Sequence, residues 1–209
     1  MKSFRLALAL VLVATACNTN PSKGKPQASV ASAEAPVTAT PDAGTVFNFS
    51  NDGSTLGFTG AKVTAKHEGT FNTFHGTVRV VDNDPTKSSV NAEIDAASIS
   101  VEPAKLNNHL KSPDLLDVAK FPKATFVSTA IKPGGDNGAT HLITGNLTLH
   151  GVAKSITFPA KIFIAPDAVD VESEFAINRK DFGIVYPGMP DDLIKDDVLI
   201  KLKIHAKKG

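Results

Sequence analysis

The side chains able to do chemistry are present in this sequence, but their spacing assembles no reactive centre. Six histidines, at 67, 75, 109, 141, 150 and 205, are scattered, with no His-x-His and no His-Glu-x-x-His to clamp a metal. Asp82-x-Asp84 and the pairs Asp191-Asp192 and Asp196-Asp197 resemble calcium loops in their carboxylates but lack the Gly and the distal Glu, so solvated turns are expected. There is no Gly-x-Ser-x-Gly and no phosphate-cradling glycine loop, and Gly134-Gly135 falls in a turn signal, where positive φ accounts for it. The single cysteine, Cys17, lies ahead of any folded domain and is not expected to be a nucleophile. Neither catalysis, a metal nor a cofactor is expected. The composition, 42% hydrophobic and 21% charged, rules out a disordered chain, and a formal net charge of +1 argues against a nucleic-acid partner held by bulk charge. Twelve Phe stand beside one Tyr and no Trp, so apolar aromatics are plentiful and amphipathic ones nearly absent.

The chain is not uniform. Lys2 and Arg5 precede a small and aliphatic run from Leu6 to Ala14, a positive n-region followed by an h-region too short to span a bilayer permanently. Residues 1–16 therefore read as a signal peptide. Cys17 follows Ala14-Thr15-Ala16 directly, and this resembles a bacterial lipoprotein signal, in which the thiol takes a diacylglycerol and the new amino terminus an acyl chain such as palmitate. Ala14 stands where Leu is usual, and Ala14-x-Ala16 would also suit ordinary cleavage, leaving a soluble periplasmic or secreted protein. We read an outer-membrane lipoprotein facing the periplasm, because the h-region runs straight into the cysteine.

Without that leader the chain holds 20 basic and 21 acidic residues. Asn18 to Ala43 is rich in Pro, Ala, Ser and Thr and has no aromatic residue, so residues 17–44 are expected to be an anchored N-terminus and linker, kept semi-extended by Pro21, Pro26, Pro36 and Pro41. Residues 45–209 form one domain. Its dominant signal has period two. Val90, Ala92, Ile94 and Ala96 alternate with polar residues, as do Val169, Val171, Ser173, Phe175 and Ile177, and likewise Val198, Ile200, Leu202 and Ile204. Ile156, Phe158, Ala160, Ile162 and Ile164 form a fourth such set. Leu56 to Lys66, Phe71 to Val81 and Ala124 to Ile131 are β-rich runs, and turn signals at 51–53, 82–85, 133–138 and 150–151 separate the strands.

One stretch, 102–120, breaks the pattern. Pro103 suits a first helical position, Leu106 and Leu110 share a face, and Ser112-Pro113 offers a second cap and start. The expected fold is all-β: a closed antiparallel barrel of about eight strands with a short helical insertion. Such a barrel is either filled by its side chains or holds one small ligand, and periodicity leaves both open; a cavity walled by these residues would suit hydrocarbon.

From Leu56 onward the chain resembles the YceI-like family of lipocalin-like, polyisoprenoid-binding barrels. The resemblance rests on Asp95-Ala96-Ala97-Ser98-Ile99, on His109 to Asp117 and on Phe121-Pro122-Lys123-Ala124-Thr125-Phe126. It continues through Gly145 to Lys154, through Ala176 to Gly183 and through Asp197 to Leu202. Leu106-Asn107-Asn108 replaces the Arg-Asp pair that the family usually carries ahead of the helix His. The resemblance implies a lipocalin-like fold that binds a long-chain polyisoprenoid, of the quinone or polyprenyl phosphate type, for carriage or storage in the cell envelope. The tail would lie among Phe74, Val78, Phe126, Leu147, Leu149, Phe158, Ile162, Phe175, Ile177, Ile200 and Leu202. Asn108, His109, Arg179 and Asp181 are the candidates for the head group, with Arg179 able to fork onto a phosphate. For Arg179 and Asp181 a structural pairing is the alternative, and for His109 a capping or packing role. The expected partners are the polyisoprenoid, the membrane through the lipid anchor, and either a second copy of the chain or a membrane redox protein. The competing reading is a non-enzymatic envelope interaction or stress lipoprotein whose barrel is filled and binds no lipid.

Overall fold

A computed structural model describes residues 20–34 and 44–209, so the expected leader and Cys17 lie outside the described residues. Strands occupy most of the described residues: β1 (Ser29–Ser32), β2 (Thr45–Ser50), β3 (Thr55–Ala61), β4 (Lys66–Phe71), β5 (Phe74–Val81), β6 (Asp84–Asp95) and β7 (Ile99–Val101). After the helix α1 (Ala104–Lys111) come β8 (Lys123–Pro133), β9 (His141–Leu149), β10 (Val152–Ile164) and β11 (Ala168–Asn178). The short pair β12 (Gly188–Met189) and β13 (Asp192–Leu193) precedes β14 (Asp197–Lys208). No described helix is long and apolar enough to cross a membrane.

The order β14, β11, β10, β9, β8, β6, β5, β2 and back to β14 closes an eight-stranded antiparallel barrel. Closure pairs each of these strands on both sides over at least part of its length and directs alternate side chains inward, which is why the period-two runs read so clearly. Two hairpins turn in two residues, and the chain has positive φ at both: Asp82 and Asn83 at 52° and 57°, His150 and Gly151 at 51° and 73°. That backbone matches the right-handed twist of the flanking strands. Along the first half of β14 the neighbour is β3, which carries β4 and then β7 as an extension of the wall at one end.

Three expectations change. The helix is only Ala104–Lys111, and residues 112–122 run in turns. Pro103 sits at the cap position with extended backbone, and Ser112 ends the helix, its hydroxyl donating to His109 O at 2.8 Å. A residue before proline is pushed out of the helical region, so Ser112-Pro113 acts as a stop where a second start was expected. The runs 56–66 and 71–81 divide elsewhere, with turns at 62–65 and 72–73.

The third change concerns the linker. Residues 20–34 are seated on the barrel. β10 and β11 pair only from Lys161 to Ile164; beyond that Ser173 Oγ donates to Pro159 O at 2.5 Å, and the two strands separate. Residues 26–32 fill the seam. Ala28 N–H donates to Ala176 O at 2.9 Å, Ala176 N–H to Pro26 O at 2.8 Å, and β1 pairs with residues 154–157 of β10. Lys25 pairs with Glu174, and Ser22 Oγ donates to Asp197 at 2.8 Å. Ala28 is buried and Val30 packs against the same core, so period two is present here over two residues only. The segment needs little apolar area because the parted strands supply unpaired backbone groups.

Candidate functional site

The inward faces of the barrel do not fill it. They leave a cavity of about 730 Å³ whose wall is drawn from the barrel strands and α1. That volume lies within the range of small-molecule sites. Phe49, Phe74, Val78, Ile94, Ala124, Phe126 and Ile143 form one side; Leu147, Leu149, Ile156, Phe158, Val171, Phe175 and Ile177 form the other, with Val198, Ile200, Leu202 and Ile204 from β14. Within the wall the Phe158 and Phe175 rings stack at 4.2 Å, and Phe126 packs tilted on Phe158 at 5.7 Å. Of the eleven residues expected around a tail, ten stand on this wall. Ile162 does not: it packs against the core beyond the cavity, on the β10 segment that pairs with β11.

Polar side chains reach the cavity only near one end, where α1, the 62–65 turn and the segment 184–194 come together. Lys62, His67, Lys105, His109, Tyr186 and Asp192 border it there, with Leu106 and Leu110 of α1 and Leu115 and Leu116 of the turn after it. The register explains the placement. β3 and β4 extend past the barrel at this end, β11 ends at Asn178, and β14 begins at Asp197 opposite it. His109 meets the Tyr186 ring edge-on at 5.2 Å, and its Nε2 lies 3.3 Å from Asp114. Lys62 pairs with Asp192, which also accepts from Thr64 N–H at 3.1 Å and Thr64 Oγ1 at 3.0 Å. These donors, the Lys62 ammonium first, hold the Asp192 carboxyl below its usual range.

The four head-group candidates separate. His109 borders the mouth. Asn108 and Asp181 are exposed and off the cavity wall. Arg179 touches the cavity but is 4% exposed, and its guanidinium is turned to the protein. Its Nη1 donates to Ile184 O at 2.5 Å and its Nε to Lys195 O at 3.1 Å; Nη2 reaches Ile194 O at 3.5 Å and Asp196 at 3.4 Å. Burial lowers its pKa, with Asp196 opposing. The fork expected to take a phosphate instead holds the 184–196 segment to the barrel, because three carbonyls of that segment have no strand to pair with. Sequence reasoning missed Tyr186, Lys62 and Lys105, which lie in turns or at the edge of the insertion without periodicity. The Tyr186 signal was its type, the chain's one amphipathic aromatic. Among the described residues no cluster of three His, Cys, Asp or Glu side chains is placed to hold a metal ion.

The family described as YceI-like domain matches residues 47–206. A protein named YceI from Salmonella arizonae is 41% identical over 122 residues, covering 56% of this chain and 62% of the relative, so the match spans less than two thirds of that protein's length. Among solved structures, Burkholderia cenocepacia BcnA superposes with a TM-score of 0.66 at 25% identity, over 75% of this chain and 98% of BcnA. A polyisoprenoid binding domain from Saccharophagus degradans, implicated in plant cell wall breakdown, gives a TM-score of 0.62 at 15% identity, over 79% and 99%. At that identity the likeness is one of fold.

Proposed function

The chain belongs to the YceI-like domain family, and on that premise we propose that its barrel binds a long-chain polyisoprenoid lipid, of the quinone or polyprenyl phosphate type, for carriage or storage in the bacterial cell envelope. The observation that carries this reading is the cavity of about 730 Å³, walled by Phe, Leu, Ile and Val and polar only at its mouth. A hydrocarbon tail entering it gains about 25 cal/mol for each Å² removed from water, whereas a sugar or nucleotide would leave its polar groups unpaired. The head group stays at the mouth, where His109, Tyr186, Lys105 and Lys62 offer donors. The Saccharophagus degradans domain, named for polyisoprenoid binding, supports the same ligand class on the same fold. A filled barrel that works only through its outer face is disfavoured by the cavity itself.

Organic extraction of the purified protein followed by mass spectrometry tests the proposal. A polyisoprenoid at one per chain supports it; repeated recovery of lipid-free protein that takes up no polyisoprenoid sinks it. The reading includes acylation of Cys17 and a place at the outer membrane facing the periplasm. Labelled palmitate should enter the wild type and not Cys17→Ser.

A further inference from the structure

Among the described residues six large apolar side chains are exposed, and four of them stand on two segments beside the cavity mouth: Val63 at 49%, Val185 at 63%, Met189 at 62% and Leu193 at 48%. The two segments are joined. Val63 N–H donates to Leu193 O at 3.1 Å and Lys195 N–H to Ala61 O at 2.8 Å, while Lys62 pairs with Asp192. The remaining two, Val127 and Phe163, sit singly on β8 and β10, and scattered apolar residues of that kind are ordinary on protein surfaces. Met189 belongs both to the exposed rim and to the cavity wall, and Ile194 beside it also lines the cavity. The apolar surface thus continues from the outside of the rim into the barrel.

The start of the chain supplies an independent observation. Ser22 is bound to Asp197, where β14 begins, and Arg179, Ile184, Ile194 and Val198 around that point line the cavity. The N-terminal segment therefore docks at the mouth end. Cys17 precedes Asn20 by three positions, a reach of at most about 11 Å. An acyl chain on Cys17 would bring this end of the barrel, and not the opposite turns at 82–83, 134–139 and 165–167, against the bilayer.

We infer that Val63, Val185, Met189 and Leu193 form a membrane-docking rim that seats the barrel mouth-down on a lipid bilayer, so that an apolar ligand passes between bilayer and cavity without crossing open water. The inference goes beyond lipid carriage and takes its orientation from the proposed anchor at Cys17. A second copy of the chain could cover the same side chains, but would not explain why the segment that follows the proposed anchor docks at the same end as the cavity mouth.

The test is hydrogen exchange of the full chain on vesicles of phosphatidylethanolamine and phosphatidylglycerol, compared with the chain in buffer. Palmitate labelling first reads the state of Cys17; a chain without an acyl group is coupled through that thiol to a maleimide lipid in the same vesicles. Amides of 62–65 and 184–194 are expected to exchange about threefold or more slowly on the membrane, with 134–139 and 165–167 unchanged. Unchanged rim exchange, protection of the distal turns instead, or the same rim protection in buffer at high protein concentration, which would mark a dimer, overturns the inference. Rim protection on maleimide vesicles with no palmitate incorporated would uphold the docking rim and refute only the lipoprotein reading. In flotation with Cys17→Ser background, changing the four rim residues to Ser should lower vesicle binding about tenfold, and Phe163→Ser should not.

Discussion

Ala92→Trp asks the cavity to declare whether it is empty space that a ligand can use. Ala92 lies on β6 opposite Gly76 and Phe126, and its methyl borders the cavity of about 730 Å³. An indole side chain offers roughly 150–250 Å² of surface, and placed here it removes a comparable area of wall from any tail. At about 25 cal/mol per Å² this is a loss of about 4–6 kcal/mol in ligand binding, on the order of a thousand- to ten-thousand-fold in affinity. Stability moves the other way. The ring enters existing space, so ligand-free protein should unfold at the same or higher denaturant concentration, whereas overpacking a filled core would cost about 1–3 kcal/mol. The paired measurement is urea unfolding of delipidated protein and uptake of a polyisoprenoid followed by mass spectrometry. A destabilised variant that still loads lipid would refute both the facing of Ala92 and the cavity as the binding site.

Replacing Arg179 by Met leaves the carbonyls of Ile184 and Lys195 without their donor and should cost about 3–5 kcal/mol in urea unfolding, against under about 0.5 for Lys180→Met, whose ammonium is exposed. Equal effects would show that the guanidinium does not hold the 184–196 segment. Ala28→Asp puts a carboxylate into the core at the β10–β11 seam; amides of 29–32 should lose exchange protection while those of β8 and β9 keep theirs, and retained protection of β1 would contradict the seam. Asp192 has its carboxyl held below the usual 3.8, so the unfolded chain takes up its proton first as pH falls. The tie to Lys62 and Thr64 is therefore fully present above about pH 5, where the unfolded carboxyl is ionised too, and is lost as pH drops through the lowered value. The Thr64 amide resonance should titrate with a midpoint below 3.8, and a midpoint above it would overturn the assignment.

What the sequence made legible follows from periodicity. Val90, Ala92 and Ile94 on β6 and Val198, Ile200, Leu202 and Ile204 on β14 alternate strictly, and all of them face the cavity because a closed barrel converts period two directly into inside and outside. Whether the barrel was full or hollow was not legible, since a packed Phe and a Phe facing a void give the same pattern. Arg179 shows a second limit. Its type pointed to a phosphate or, somewhat more strongly, to a structural pairing with Asp181, and neither reading names the partners it has, the carbonyls of Ile184, Ile194 and Lys195 with Asp196. The N-terminal segment shows a third, because its composition describes what it can bury by itself and not what backbone partners a parted pair of strands will offer.

That seam also orders events in time. Ser29 pairs with Thr157, and Gln27 with Ala176, so the first strand of the described chain meets partners more than a hundred residues downstream. Contacts of such separation form late, because the loop they close must first be gathered. A chain made from its N-terminus holds residues 26–32 idle until β10 and β11 exist, and the wall of the barrel stays open along this line until they do. Until then the cavity is open sideways as well as at its mouth, and the length of that interval sets when a ligand can enter without passing the rim.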